Sequence, residues 1–253
     1  MNWQLHVLGS GAAHAAGRLG SSAAVIERDG APQLLIDCGP DTLDRYQEAY
    51  NEPPRALYVT HLHMDHVGGL EGLFYRLWFD PDLRGRCKVF VHADLVPMLQ
   101  RRVADYPNVL AEGGANFWEA FQLVPCTRGF WLDGVWYGLF ATRHHRPGTS
   151  FGLVLPGALV WTGDTRPVPE ALAEVGEGVA CIAHDCGRVG NPSHTGMDDL
   201  EREYPADLRQ RLLLYHYGDE SDAQAMQQAG YRVARAGQRI ALASPSWAPH
   251  QAG

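Results

Sequence analysis

Short apolar runs rich in β-branched and aromatic residues recur along the chain, with Gly, Pro and Asp between many of them, and each is of strand length. They predict strands at Trp3 to Leu8, Ala23 to Glu27, Gln33 to Asp37, Ala56 to Thr60, Lys88 to His92 and Val135 to Ala141. Further strands are predicted at Thr149 to Leu155, Ala158 to Thr162, Val179 to His184, Arg211 to His216 and Arg239 to Ala243. Helical patterns fill other gaps, at Asp41 to Tyr50, Val67 to Asp80, Asp94 to Asp105, Val168 to Val175, Thr195 to Arg202 and Ser221 to Ala229. Pro40 as a first-turn residue and Asp94 and Ser221 as caps support these assignments. Hairpins alternate with strand–helix units, which predicts an α/β fold of two mixed sheets with helices outside. No low-complexity linker interrupts the 253 residues, so residues 1–253 are expected to form one domain.

Composition narrows the function. The 21 Lys and Arg against 29 Asp and Glu leave a formal net charge of −8. Such a balance repels a polyanion, so a long nucleic acid is an unlikely partner while a small anion in a local pocket is not. No window approaches the roughly 20 apolar residues of a membrane span, and the start MNWQLHVLGSG lacks a basic segment followed by an apolar one. The five cysteines, Cys38, Cys87, Cys126, Cys181 and Cys186, are odd in number and scattered, which predicts reduced thiols and a cytoplasmic protein.

The chemistry concentrates in Thr60-His61-Leu62-His63-Met64-Asp65-His66, where three imidazoles and a carboxylate follow an apolar strand within six residues. His61 and His63 alternate by two and face the same way in an extended segment, and a turn after them brings Asp65 and His66 round toward a second position. Neutral imidazole and carboxylate are ligands of Zn2+ and its first-row relatives, so the spacing suits two metals side by side.

This H-x-H-x-D-H segment resembles the signature of the metallo-β-lactamase fold. Leu8-Gly9-Ser10-Gly11-Ala12-Ala13, Leu35-Ile36-Asp37-Cys38-Gly39 and Trp161-Thr162-Gly163-Asp164-Thr165 resemble further landmarks in that family's order. The resemblance implies an αββα sandwich of two mixed sheets with the metals at one edge. It implies His61 and His63 as ligands of a first metal, Asp65 and His66 as ligands of a second, and Asp164 as the carboxylate bridging both. The third imidazole of the first metal falls in Arg143-His144-His145-Arg146-Pro147-Gly148, where two histidines compete. His145 fits the family context better, which leaves His144 to orient a neighbour. His216, ending the run Leu212 to Tyr215, matches the last ligand, although Tyr217-Gly218 departs from the usual continuation.

Within the family, Ser193-His194-Thr195 resembles a motif of the ribonuclease Z-like phosphodiesterases whose histidine approaches the scissile phosphate. The short interval between His145 and Asp164 leaves no room for the arm with which ribonuclease Z grips tRNA. The resemblance is therefore to armless relatives, among them the anti-Pycsar cyclic-nucleotide phosphodiesterases and their bacterial homologues. It implies hydrolysis of 3′,5′-cyclic mononucleotides, two divalent metal ions (zinc, with manganese or iron as alternatives), Asp65 and His194 as catalytic residues, and a homodimer. A thioester or lactone hydrolase, or a tRNA 3′-processing nuclease, is the competing reading. Arg146, Arg166 and Arg188 are candidate phosphate contacts, and Tyr75, Trp78, Phe79, Phe117 and Trp118 are core residues or a base platform. His6, His14 and His92 have no partner pattern, and His184 stands beside the site's expected edge.

Overall fold

A computed structural model describes residues 1–104 and 115–246. Seven strands form the first sheet: β1 (Trp3–Gly9), β2 (Ala23–Arg28), β3 (Ala31–Ile36), β4 (Ala56–Val59), β5 (Cys87–His92), β6 (Phe121–Cys126) and, numbered last in the chain, β14 (Arg239–Leu242). The second comprises β7 (Gly129–Leu132), β8 (Val135–Ala141), β9 (Phe151–Leu155), β10 (Leu159–Trp161), β11 (Cys181–Asp185), β12 (Leu212–Tyr215) and β13 (Arg232–Val233). The spatial orders are β14-β1-β2-β3-β4-β5-β6 and β13-β12-β11-β10-β9-β8-β7. Each sheet is antiparallel at one end and parallel at the other, with β3 to β6 parallel in the first and β10 to β13 parallel in the second.

Helices cover both outer faces: α1 (Ala16–Leu19), α2 (Thr42–Tyr50), α3 (Met64–Val67), α4 (Leu70–Trp78) and α5 (Val96–Val103) in the first half, then α6 (Pro169–Val175), α7 (Met197–Glu203), α8 (Ala206–Arg209) and α9 (Glu220–Gln228). The period of two along each inner strand builds the layers. In β4, Ala56 and Tyr58 face the core between the sheets, where Leu5, Ile26, Phe90, Trp161 and Tyr215 also lie. Leu57 and Val59 face the opposite way, onto Leu43, Leu73, Phe74 and Leu99 of the helices. A third cluster packs Val160, Ile182 and Leu214 against Leu172, Leu200, Leu208 and Met226. The result is the expected αββα sandwich.

All eleven predicted strands are present, with ends shifted by a residue or two. Three were missed: β6, β7 and β13 are three of the four edge strands of the two sheets, half-exposed or very short, and β6 carries Pro125 where an edge tolerates it. The caps also differ. Asp219, not Ser221, caps α9 by accepting from the Ser221 and Asp222 amides at 2.8 and 3.0 Å, and His92 Nδ1 accepts from the Asp94 amide at 3.3 Å. Pro40 precedes α2, which begins at Thr42. The helix expected over Asp94 to Asp105 is split into a short 3-10 turn and α5, and its last residue, Asp105, lies outside the described residues. All five cysteines are free and buried, in keeping with core thiols.

Candidate metal centre and active site

The parallel strands place the functional residues. Asp37 follows β3, His61 follows β4, Asp164 follows β10, Asp185 ends β11 and His216 follows β12, so the two sheets deliver these side chains to one edge of the sandwich. Backbone bonds seal the edge: the Phe151 amide donates to the Thr60 carbonyl at 3.0 Å, and the His216 amide to the Ser10 carbonyl at 2.8 Å. Ser10 Oγ also donates to the Tyr217 hydroxyl at 2.9 Å, which in turn donates to the Ala234 carbonyl at 2.8 Å. Tyr217, the departure from the family pattern, thus ties the His216 loop to the Gly9-Ser10-Gly11 turn. Gly39 has a steric reason to be glycine, because a Cβ there would lie 2.1 Å from the Asp65 carbonyl oxygen and 2.4 Å from Ser21 Cβ.

Asp164 is common to three groups of candidate ligands. His61, His63, His144 and Asp164 form the first, Asp65, His66, Asp164 and His216 the second, and Asp164, Asp185, His194 and His216 a third that overlaps the second. In the first, His63 Nδ1 lies 3.3 Å from His61 Nε2 and 3.1 Å from His144 Nε2, and His61 Nε2 is 3.5 Å from Asp164 Oδ2. Ligand atoms on a tetrahedron with zinc bonds of about 2.0–2.1 Å stand about 3.3 Å apart, so these spacings fit a single ion. In the second, His66 Nε2 is 3.4 Å from both Asp65 Oδ2 and Asp164 Oδ1, and His216 Nε2 is 3.3 Å from Asp164 Oδ2. His66 Nε2, His216 Nε2 and both Asp164 oxygens are buried without a hydrogen-bond partner. A buried carboxylate with two unmet oxygens is costly unless a cation faces it, so the donor set fits divalent metal.

The ligand preferred from sequence context does not take the expected place. His145 adopts φ of 55° and turns outward, its Nδ1 3.2 Å from Ser193 Oγ, while His144 points into the cluster and is 2% exposed. The left-handed turn at His145 reverses which of the two consecutive rings faces inward. The geometry therefore assigns the third imidazole position to His144 and leaves His145 at the mouth.

Neighbours fix the ring tautomers, which leaves the ligating nitrogens free. His61 Nδ1 donates to Thr60 Oγ1 at 3.0 Å, His144 Nδ1 to the Ser193 carbonyl at 2.9 Å, and His66 Nδ1 to Asp37 Oδ2 at 2.8 Å. Asp37 additionally accepts from the Thr60 amide and hydroxyl, both at 2.8 Å. Burial holds the first cluster's imidazoles neutral, lowering His61 well below its ordinary value and His144 to about 4. In the second cluster burial again opposes charge, but Asp164, Asp185 and Asp65 outweigh it and raise His216 to about 10, and Asp164 and Asp37 raise His66. That half of the site holds more negative charge than its neighbours neutralise and takes up cations, as protons or as metal.

Beside Asp164 stands His194, its Nδ1 2.9 Å from Asp185 Oδ2 and 3.9 Å from Asp164 Oδ2, its ring stacked on His216 at 4.9 Å. Asp185 is fully buried, accepts from the Thr165 amide at 2.9 Å, and lies 3.4 Å from His216 Nδ1. It orients both histidines. Its sequence signal is an apolar strand ending in Asp, the same pattern that marks Asp37. His184, by contrast, turns away: Nδ1 donates to the Asp185 carbonyl, and the Tyr204 hydroxyl donates to Nε2 at 2.8 Å. A cavity of about 500 Å³ opens on the first cluster, walled by Leu62, Met98, Arg102, Arg146 and Thr149. Of the three arginines expected at phosphate, Arg146 lines this cavity, Arg166 is bonded to the Asn191 carbonyl and paired with Asp199, and Arg188 is exposed. Arg102 and Met98 were not anticipated. The aromatics of α4 and after do not line the cavity; Phe74, Trp78 and Phe117 stack together behind the first sheet.

An αββα sandwich carrying two such clusters at the C-terminal ends of its parallel strands is a metallo-β-lactamase-fold, metal-dependent hydrolase. The model of the family described as anti-Pycsar protein Apyc1 matches residues 3–240, and the chain belongs to that family. An anti-Pycsar protein Apyc1 of Paenibacillus xerothermodurans is 28% identical over 233 residues, covering 88% of this chain and 90% of the relative. Among solved structures, the metallo-β-lactamase-fold protein YhfI of Bacillus subtilis superposes with a TM-score of 0.72 at 13% identity, covering 95% of this chain and all of that one. The short form of human tRNase Z superposes with a TM-score of 0.66 at 18% identity, covering 94% and 98%. No helix among the described residues is long and apolar enough to cross a membrane.

Proposed function

We propose that the protein is a dinuclear-metal phosphodiesterase that opens 3′,5′-cyclic mononucleotides to linear monophosphates, with zinc as the first candidate metal. The observation that carries this reading is His194, held by Asp185 beside the shared ligand Asp164 and outside the two clusters that would take the ions, where a general acid would stand. Membership of the anti-Pycsar family supports a nucleotide substrate.

His61, His63, His144 and Asp164 would hold one ion and Asp65, His66, Asp164 and His216 the other. When bound, two divalent cations lower the pKa of water and neutralise phosphoryl charge. The chain's own residues do the rest. Burial opposes ionisation of the Asp65 carboxyl, yet His216 and His66, whose Nε2 atoms lie 3.6 and 3.4 Å from Oδ2, hold it well below the usual carboxylate range, so it stays ionised; in this reading it stands beside the attacking water and takes its proton. As the new P–O bond forms and the bond to O3′ breaks, protonated His194 donates from Nε2 to the leaving oxygen, while Asp185 keeps Nδ1 occupied and the ring aimed. We further propose that the enzyme works as a homodimer, which light scattering on the metal-loaded protein tests directly.

The deciding experiment is hydrolysis of cAMP, cGMP, cCMP and cUMP by protein of verified metal content, with Asp164→Ala as control. Conversion to linear monophosphates that vanishes in the variant supports the reading. No turnover with both metals in place overturns it and directs attention to thioesters and lactones.

A further inference from the structure

The four carboxylates that Asp37, Asp65, Asp164 and Asp185 contribute to the site balance the charge of two divalent cations. The metal centre as a whole is therefore close to neutral, and it sits in a chain of net charge −8. Long-range attraction for an anionic substrate must come from elsewhere. The cavity on the first cluster supplies it: Arg102 and Arg146 line its wall, and none of its described lining residues is Asp or Glu. Both guanidinium groups are exposed, and neither pairs with a carboxylate among the described residues, whereas Arg143, Arg166, Arg202 and Arg235 nearby or elsewhere each do.

The two arginines are placed differently. Arg102 projects from α5, and its Nε donates to the Leu62 carbonyl at 3.1 Å, between the ligands His61 and His63. That bond fixes the guanidinium against the metal motif, and among the described residues neither terminal nitrogen has a hydrogen-bond partner. Arg146 follows the His144-His145 turn and lines the same cavity, and no hydrogen bond ties its side chain to a described residue. Met98 and Leu62 contribute apolar surface to the same wall.

We propose that Arg102 and Arg146 are the substrate-capture pair of this enzyme: they draw the phosphodiester anion to a charge-neutral metal centre, and the nucleoside then rests on Met98 and Leu62. The inference deepens the phosphodiesterase reading and rests on it. Two arginines that pair with no carboxylate among the described residues favour an anionic phosphodiester over a neutral ester.

The test compares the metal-loaded full chain with its Arg102→Gln, Arg146→Gln and double variants, measuring cyclic-nucleotide hydrolysis from low to high NaCl together with equilibrium binding of 5′-AMP. Each single variant is expected to raise KM about tenfold with kcat within about twofold, and the double variant to flatten the salt dependence of kcat/KM. A merely structural role for Arg102 would not change the salt slope, and the Arg146 side chain has no bond to a described residue to lose. Unchanged KM and salt slope in the double variant, with turnover intact, overturn the capture role and leave the phosphodiesterase reading standing. If the wild type hydrolyses no cyclic nucleotide, that reading fails, and 5′-AMP binding decides capture by itself: affinity that falls in the variants upholds it, and affinity that does not overturns it.

Discussion

Asp37→Asn is the sharpest available probe of the site, because it changes one atom that no metal touches. Asp37 is fully buried, and its two oxygens accept three hydrogen bonds at 2.8 Å, from the Thr60 amide to Oδ1 and from Thr60 Oγ1 and His66 Nδ1 to Oδ2. An asparagine cannot reproduce that set. With its amide nitrogen at the Oδ2 position it keeps the Thr60 amide bond, but it donates to His66 Nδ1 and so drives the imidazole proton to Nε2, the atom that would ligate the second metal. With the amide flipped, nitrogen faces the Thr60 N–H and a buried donor loses its acceptor, at a cost of about 1–3 kcal/mol. The first arrangement misdirects His66 and takes the Thr60 hydroxyl's acceptor, and the second strands the Thr60 amide, so either one loosens the support of the metal motif. Loss of an outer partner of this kind lowers metal affinity about 10–100-fold, or about 1.4–2.8 kcal/mol. The fold should survive, since burial is the main effect on Asp37 and pushes its carboxyl up, so the ionised form carries a desolvation cost that the amide escapes. Thermal unfolding of the metal-free variant, zinc competition against a chromophoric chelator and phosphodiesterase activity separate these effects. An Asp37→Asn protein that unfolds like wild type yet binds its second zinc as tightly would refute the tautomer argument.

Three other outcomes follow from the geometry. His144→Ala should lose one equivalent of metal by elemental analysis while His145→Ala retains both; the reverse result would restore the assignment that sequence context favours. His194→Gln should keep its full metal complement yet lose about 10²–10⁴-fold in kcat as a missing general acid does, with Asp185→Asn losing less and also weakening the second metal through His216; a His194→Gln enzyme of wild-type kcat would remove that residue from the mechanism. Metal uptake should release protons. Asp164, Asp185 and Asp65 overcome burial to raise His216 to about 10, so this ring binds a proton in the metal-free fold across neutral pH. Its contribution to metal-free stability is full below the unfolded pKa near 6.5 and is lost as pH rises through about 10. Zinc affinity should accordingly climb between pH 6 and 8, and a pH-independent affinity in the same competition assay would contradict this.

How far the sequence alone reached depended on where the physical constraint was written. Inner strands such as β4 and β12 are buried on both faces, so all their positions are apolar and the run is conspicuous. Of the four edge strands only β14 was legible; β6, β7 and β13 have one side open, and their mixed composition or shortness reads as loop. The ligand motif from His61 to His66 was legible because its donors are contiguous and their facing follows from the period of a strand and one turn. The choice between His144 and His145 was not, because it turns on a single backbone dihedral, φ of 55° at His145, that residue spacing does not encode. The orienting carboxylates lie between these cases. Asp37 and Asp185 each end an apolar strand at full burial, where a carboxylate is tolerated only if hydrogen-bond donors surround it. An acidic residue closing a run with no polar alternation therefore implies a nearby donor, and in both β3 and β11 that donor is an imidazole of the site. Arg102 lacked even this trace, since its place at the cavity wall depends on how α5 packs against the metal motif through the Leu62 carbonyl, a contact between segments 40 residues apart.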